Sequence, residues 1–592
     1  MYLKIIIKSM LCAVFAFLLT FYLRRAREKY AQTVLQQHRP PNPEEPLPPS
    51  YSPLLAFPQA AICSDNNACS IIARKILERG GSVVDSALSS LLCNGLLGMQ
   101  SMGLGGGMLM NIYIHNERRS YSILSREISP MSLHAANFTV FRNEDHLKQS
   151  SWSIAVPTEL MGYALAHERF GKLPWREIVE PTIEICRKGY RLYKHQYDAL
   201  LINEEMVRSD TLLSQLFVKP STGEFWNIGT HLYPPEQLCD TYAHIAKEGP
   251  RSFYKGSLGK MVHDDLLEMK SVITENDLNA AHARLRESIV VPLDEYDLHL
   301  TPLPGSGYVL GFIMNILLQY RKEFQQKRHL GPLEIHRIVE AMKFGFVKRW
   351  QLDESVDEGL LDNMTSSAYA EEIAKLIDDS RTFDEPMNYG ATSEVHSRPE
   401  YGTSHISVLS KDDAVSVTSS INFYFGSGRM GKRTGVLFNN AMTDFSIERL
   451  KNHFNLPFVP NKNMITAGAT PMSSMTPVIV TERSTGKVRL VVGAAGGTKI
   501  ISSLVPVLIR TLWQQVNIKG AIDAYRVHHQ MLPNVLEYEY GLLQSHLVEL
   551  ESKGHQCQRY LNRGSVICGI EQTNETIFVN SDFRKMGGVT GY

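Results

Sequence analysis

A Gly-Thr junction opens an alternating strand deep in this chain. Tyr401-Gly402-Thr403-Ser404-His405-Ile406-Ser407-Val408 is followed, one strand later, by Thr418-Ser419-Ser420-Ile421-Asn422-Phe423-Tyr424-Phe425-Gly426. Small hydroxyl side chains arriving beside an internal Gly-Thr pair are what a self-cleaving amidase needs. The threonine hydroxyl can attack its own preceding carbonyl, and cutting the Gly402–Thr403 bond makes Thr403 a new N-terminus. Its α-amine, with an ordinary pKa of about 7.7–8.0, can then act as the base for its own hydroxyl. At 592 residues the chain exceeds one ordinary core. Yet no low-complexity linker or 20–50-residue repeat divides the stretch from Phe57 to the end. One large α/β body, later cut into two interlocked chains, fits these facts. Lys plus Arg and Asp plus Glu stand at 61 each, which leaves no electrostatic footprint for nucleic acid.

The coarse local reading is mixed. From Ala68 to Leu97 apolar residues recur at helical spacing and break at Gly80-Gly81, predicting two helices joined by a glycine turn. Leu109–Ile114 reads as a strand. Several helices and capping signals follow between Leu173 and Phe324, among them Thr274-Glu275-Asn276-Asp277 ahead of Leu278. Beyond Thr403 the pattern alternates: Ile406 and Val408, then Val415 and Val417, predict a hairpin across Lys411-Asp412-Asp413. Val478–Val480 and Val488–Val492 predict a second hairpin across Ser484-Thr485-Gly486. The cluster Gly103–Gly107 carries Met108 where a dinucleotide fingerprint needs its third glycine, so a tight backbone turn is the reading. Gly496-Gly497-Thr498 lacks the P-loop lysine, and its paired glycines suit close backbone approach to a ligand. No spacing of Cys, His or carboxylates reads as a metal site, and no cofactor is implied.

The landmarks Met102–Gly107, Ser125-Arg126-Glu127, Gly402–His405, Asn422–Ser427, Leu437-Phe438-Asn439-Asn440, Ser473-Ser474-Met475 and Gly493–Thr498 occur together and in order. In these, and in the terminal Gly587-Gly588-Val589-Thr590-Gly591-Tyr592, the chain resembles the γ-glutamyltransferases, members of the N-terminal-nucleophile hydrolase superfamily. The resemblance runs from about Phe57 to Tyr592. It implies an α/β (α+β) fold, the four-layer αββα sandwich, with a large subunit over 59–402 and a small catalytic subunit over 403–592. It also implies cleavage of the γ-glutamyl amide of glutathione and its S-conjugates, with transfer to water or to amino acid or dipeptide acceptors.

Matched residue by residue, the resemblance implies Thr403 as nucleophile, with Ser420 beside it in place of a family threonine. The backbone N–H groups of Gly496 and Gly497 would form the oxyanion hole. Arg126 would hold the donor α-carboxylate, a task suited to its two-pronged guanidinium, with Ser473 and Ser474 adding hydroxyls. Asp444 and Asn422 would receive the α-ammonium. One position departs: after Asn439-Asn440 the family usually carries a glutamate for that ammonium, and here Ala441 stands. Losing a charge-assisted contact there costs on the order of 1.5–3 kcal/mol. Two expectations stay open: an enzyme with altered donor recognition, or a non-catalytic surface protein of the same fold.

The N-terminus differs in kind. Residues 9–23 are apolar but for Ser9 and Thr20, near the lower limit for a spanning helix. Arg24-Arg25-Ala26-Arg27 follows where a signal-peptide cleavage site would need small residues, so the run reads as an uncleaved signal anchor. Residues 1–8 would be a cytosolic tail and 24–58, rich in proline from Pro40 onward, a stalk. The arginines after the run favour keeping that side cytosolic. The resemblance implies the reverse, a single-pass type II protein of the cell membrane with its body outside. It also implies a Cys69–Cys93 disulfide. Cys557 and Cys568 lie in a region able to form a hairpin and are candidates to pair, whereas Cys63, Cys186 and Cys239 show no obvious partners. Sequons occur at Asn137, Asn363 and Asn574.

Overall fold

The computed structural model describes residues 39–133, 138, 140–141, 144–391, 402–447, 462–560 and 564–592. Two seven-stranded antiparallel sheets form its centre. The first runs Leu55–Phe57, Thr576–Ser581, Val566–Thr573, Val488–Ala495, Val478–Glu482, Tyr296–Leu300, Ile289–Leu293. The second runs Gly588–Gly591, Ala60–Ser64, Ser404–Ser410, Asp413–Ser420, Gly107–Ile114, Arg119–Ser125, Arg284–Glu287. Both sheets combine strands from before and after residue 403.

Three apolar clusters set the layers. One joins the inner faces of the sheets through Ala61, Leu409, Ile479, Val491 and Ile570. A second packs the helices Asn67–Glu78 and Val83–Leu97 on the outer face of the second sheet, against Ile406, Val408, Val415 and Val417. A third packs Gly307–Leu318, Pro332–Arg349 and Lys499–Leu508 on the first sheet, against Leu298, Val480 and Val492. The order is therefore helix, sheet, sheet, helix. Both predicted N-terminal helices form. Gly80, at φ +90, supplies the turn, and Ser82 restarts the helix through a capping box with Asp85. Val83–Leu97 is buried on every side, which suits a helix apolar all round. The Thr274–Asp277 capping box also forms.

Both predicted hairpins are present. The first turns on Lys411-Asp412 alone, both left-handed at φ +53 and +68, the two-residue connection whose twist matches that of paired strands. The intervening hydroxyls have a different use from the one their clustering suggests. Ser416 Oγ donates to Val492 O at 3.1 Å and Ser407 Oγ to Cys568 O at 3.3 Å, stitching one sheet to the other.

Cysteine pairing corrects the sequence reading. Cys69–Cys93 is bonded as implied, but Cys568 pairs with Cys63, across the sheets, and Cys186 pairs with Cys239. Cys557, the expected partner of Cys568, is free. Cys63 sits 505 residues from Cys568, and only the stacking of the sheets brings them together. From Pro40 the proline-rich segment lies on the body: Arg559 Nη1 donates to Pro40 O at 2.8 Å, and Ser50 Oγ to Asp523 at 2.7 Å. The expected membrane run at 9–23 and the sequon at Asn137 lie outside the described residues. Among the described residues no helix is long and apolar enough to cross a membrane. Asn363 and Asn574 are exposed.

Burial holds His299, His336, His405, His528, His529, His546 and His555 below the ordinary imidazole range, His405 at about 3 and His299 at about 4. Each of these groups takes up its proton less readily in the folded chain than in the unfolded one. The penalty is absent above about pH 6.5 and grows as pH falls from there toward each folded value, by about 1.4 kcal/mol per unit per group. Glu159, raised by burial to about 8, acts in the opposite sense, but the histidines outnumber the raised carboxyl groups Glu127, Glu159, Asp297 and Asp444. Calorimetry is expected to show an unfolding midpoint that rises modestly from pH 8 to 6.5, as folded Glu159 takes up its proton, and falls between pH 6.5 and 5 as the histidine penalties accumulate.

Candidate active site

The strand Ser404–Ser410 is buried along its whole length, and Thr403 leads into it, 8 % exposed. Gly402 is there because nothing larger fits. A Cβ on it would lie 2.5 Å from both Phe423 C and Tyr424 N, backbone atoms that cannot step aside. The Gly402 carbonyl receives two hydroxyls, Thr403 Oγ1 at 2.7 Å and Ser420 Oγ at 2.8 Å. Ser420 Oγ is itself held by the backbone N–H of Asn422 at 2.8 Å. Thr403 O accepts from Lys585 Nζ at 3.1 Å, and Lys585 pairs with Asp65. The Thr403 hydroxyl thus rests against the preceding carbonyl, and a second hydroxyl donates to the same oxygen.

Two cavities meet at Thr403. One is lined by Arg126, Arg349, Ser420, Asn422, Asp444, Ser473, Ser474 and Gly497. The other is lined by Phe423, Tyr424, His195, Gly402, Gly496 and Lys585. Gly496 and Gly497, at φ +136 and +59, form the turn from the strand Val488–Ala495 into the helix Lys499–Leu508. They present backbone amides at the start of a helix, where partial positive charge accumulates. The earlier glycines serve the same neighbourhood by close packing. A Cβ on Gly106 would meet Ser420 O at 2.3 Å, and one on Gly105 would meet Leu437 O at 2.2 Å.

The polar cavity gathers every catalytic and binding residue nominated from the sequence except Gly496, which lines the other. Arg126, 4 % exposed, donates from Nη1 to Glu127 at 2.6 Å and from Nη2 to Asp444. Asn422 Nδ2 donates to the other Asp444 oxygen at 3.0 Å. Burial pushes the Asp444 carboxyl up, against the pull of Arg126 and Asn422. Ala441 is fully buried in an apolar cluster with Leu133, Phe141, Leu147, Met442 and Phe445, so Asp444 is the carboxylate that lines this cavity.

A profile of the family described as Gamma-glutamyltranspeptidase matches residues 69–592. The chain belongs to the γ-glutamyltranspeptidase family. Scoloptoxin SSD14 of Scolopendra dehaani is 35% identical over 545 residues, covering 90% of this chain and 92% of that one. Glutathione hydrolase 5 proenzyme of Mus musculus is 32% identical over 555 residues, covering 91% and 93%. The crystal structure of cephalosporin acylase from Bacillus halodurans shares the fold, with TM-score 0.79 over 93% of this chain and 99% of that chain at 20% identity.

Sequence reasoning about this γ-glutamyltranspeptidase missed three site residues. Arg349 ends the helix Pro332–Arg349, where a basic residue reads as ordinary helix-end chemistry. Lys585 and Asp65, at opposite ends of the chain, meet only in the folded molecule. Nor did spacing reveal that His336, Glu340 and His555 come together, with one potential ligand atom of each within 4.8 Å of the others. Glu340 there accepts from Thr382 and Tyr389 hydroxyls, both at 2.6 Å, and pairs with Lys343 at 3.4 Å. Its cation is the lysine, and the cluster is a satisfied polar network of the core.

Because the Gly402 Cβ position faces backbone, Gly402→Ala is expected to cost about 1–3 kcal/mol and to move Thr403 off its carbonyl contact. Purified variant should show a lowered unfolding midpoint and no peptide beginning at Thr403 by N-terminal sequencing.

Proposed function

We propose that this protein is a γ-glutamyl hydrolase and transferase acting on glutathione and its S-conjugates through an ester on Thr403. The observation that carries this reading is the position of Thr403 where two cavities meet. One cavity offers guanidinium, hydroxyls, carboxylate and amide, the complement of an α-amino acid. The other offers aromatic walls for the group leaving or arriving on the far side of the bond.

Maturation comes first. Thr403 Oγ1 attacks the Gly402 carbonyl carbon, the C–N bond breaks, and an ester to Thr403 Oγ1 forms with release of the α-amine. Water hydrolyses that ester, leaving a carboxylate at Gly402 and a free threonine N-terminus. In turnover the α-amine takes the hydroxyl proton as Oγ1 attacks the donor γ-carbonyl. The Gly496 and Gly497 amides hold the oxyanion, the C–N bond breaks, and the proton leaves with the departing amine. Water then yields glutamate, or an amino acid or dipeptide amine takes the γ-glutamyl group. Either step frees Thr403.

A surface location fits the same reading. Three disulfides suit an oxidising compartment, and the apolar run at 9–23 suits a type II anchor with the body outside the cell. The second reading, a matured but non-catalytic protein, draws on Ala441, which leaves one carboxylate for the donor ammonium.

Cys63 precedes the expected cut and Cys568 follows it, so cleavage should not separate the products. A non-reducing denaturing gel of active protein should show one species, and a reducing gel two, ending at Gly402 and beginning at Thr403. Thr403→Ala should run as one chain under both conditions. Two non-reduced bands would refute the covalent link, while a single reduced chain in active protein would refute the mechanism. Asp444→Asn is expected to raise KM for γ-glutamyl p-nitroanilide by about 10–150-fold, the worth of a charge-assisted contact, with a smaller change in kcat. A fully matured wild-type protein that turns over neither this anilide nor glutathione would establish the non-catalytic reading.

A further inference from the structure

Gly496 and Gly497 have no side chains of their own, so the direction of their amides is set by what surrounds them. Behind them lies a buried polar chain that the proposed mechanism leaves unused. Thr498, the residue after Gly497, donates from Oγ1 to Gln530 Oε1 at 2.6 Å. Gln530 Nε2 donates to Leu532 O at 3.0 Å, which fixes the amide with its oxygen toward Thr498. His528 Nε2 lies 3.1 Å from the same oxygen, and His528 Nδ1 lies 2.7 Å from Ser502 Oγ. An amide oxygen only accepts, so Nε2 carries the imidazole proton and Nδ1 accepts from the Ser502 hydroxyl. Burial, with Lys499 nearby, pushes the His528 imidazole well below its usual range, which leaves one ring proton at neutral pH and keeps that tautomer. Thr498 and Ser502 stand about one turn apart where the helix Lys499–Leu508 begins, so the chain grips that end at two points.

The grip comes from one short segment around the strand Val527–His528. Its Arg526 holds the other side of the turn: Nη1 donates to Ser565 O at 2.6 Å, and a Cβ on Gly496 would fall 2.9 Å from Ser565 Cα. Gly496 is thus pressed by backbone that Arg526 holds, and Gly497 is followed by a residue that Gln530 holds. Thr498, Ser502, His528 and Gln530 are all buried, and none of them lines either cavity at Thr403. Apolar partners of the same shape would fill that space at little cost in stability. What the hydrogen bonds add is direction. We infer that Gln530, with His528 behind it, is a positioning residue: it fixes Thr498 and thereby aims the Gly496 and Gly497 amides at the oxyanion. Its effect then belongs to the transition state and not to donor binding. This inference rests on the ester mechanism proposed above and adds to it residues that touch neither donor nor acceptor.

The test compares Thr498→Val, Thr498→Ser and Gln530→Met as matured full-length proteins, with γ-glutamyl p-nitroanilide as substrate. Thr498→Val leaves Gln530 Oε1 its bond from His528 and so removes one link at nearly constant shape. Thr498→Val and Gln530→Met are each expected to lower kcat about 10–100-fold, less than outright loss of an oxyanion donor, while KM stays within about threefold. Thr498→Ser, which keeps the hydroxyl, should hold kcat within about threefold of wild type. If Gln530→Met does not fold, Thr498→Val carries the comparison. Two ligands supply a readout that general loosening would not give. L-Glutamate binds as the ground state does. The boron of 2-amino-4-boronobutanoate takes the Thr403 hydroxyl oxygen, the proton passing to the α-amine, and becomes a tetrahedral anion like the transition state. Inhibition by the boronate should weaken in step with kcat, and inhibition by L-glutamate should stay within about threefold. Equal weakening of both ligands, or kcat within threefold of wild type in both variants, would overturn the inference. So would folded variants left uncut at Gly402–Thr403, since the chain would then act on the junction. Failure of the underlying reading looks different: matured wild type would turn over no γ-glutamyl substrate at all, and the inference would fall with it.

Discussion

The strand Ser404–Ser410 is buried on both faces, and the rest of the site depends on where that burial delivers its first residues. Ile406 and Val408 face the helical layer, whereas His405, Ser407 and Leu409 face the other sheet. A one-residue slip would exchange these sets, placing a histidine and a serine among the leucines of Val83–Leu97. Register is fixed further by Gly493, where a Cβ would fall 2.1 Å from the His405 ring. With the strand locked, Gly402 has to pass against the Phe423–Tyr424 backbone, and Thr403 has to lie where both cavities open. The reactive geometry follows from packing that has nothing reactive in it.

The donor cavity extends the argument to charge. Three ionisable groups, Arg126, Glu127 and Asp444, are buried side by side, and each is held by at least one of the others. Such a cluster is poor stabilising material, since desolvation consumes most of the Coulomb gain. Its value lies in holding Asp444 at fixed orientation with one negative charge to spare. That matters more here because Ala441 has given its position to the apolar cluster of Leu133 and Phe141. The cavity is built around one carboxylate and two guanidiniums, Asp444, Arg126 and Arg349.

Much of this was legible in the sequence, for identifiable reasons. The hairpins and first two helices are local: alternation at Ile406 to Val417 and the Gly80-Gly81 break suffice. Thr403, Ser420, Asn422, Asp444, Ser473 and Ser474 were nominated by motif, and the fold brings them to one cavity. The hydroxyl run misled in part, because Thr418 Oγ1 bonds the His405 ring and Ser419 donates to Glu159. Only Ser420 reaches the junction. What sequence could not supply is pairing at a distance: Cys63 with Cys568, Asp65 with Lys585, Arg349 with Ser474. Each joins segments far apart in the chain, and each exists only because the sheets stack in one particular order. Pairing Cys557 with Cys568 was the local choice, and the fold made the distant one.

The same order explains how a protein could sever its own backbone at the centre and keep its shape. In the second sheet Ala60–Ser64 lies between Ser404–Ser410 and Gly588–Gly591, so a strand from before the junction is paired on both sides with strands from after it. In the first sheet Tyr296–Leu300 pairs with Val478–Glu482, and Leu55–Phe57 with Thr576–Ser581. Asp413–Ser420 pairs likewise with Gly107–Ile114, so pulling the two pieces apart would break five ladders among the described residues and expose the inter-sheet core, and the Cys63–Cys568 bond would still hold. Losing the single peptide bond at Gly402–Thr403 removes none of that. It frees only the end of a strand held between Ala60–Ser64 and Asp413–Ser420, with Lys585 on the Thr403 carbonyl. A new terminus made there would stay in place, because the groups holding Thr403 and its strand lie outside the segment that the cut would release.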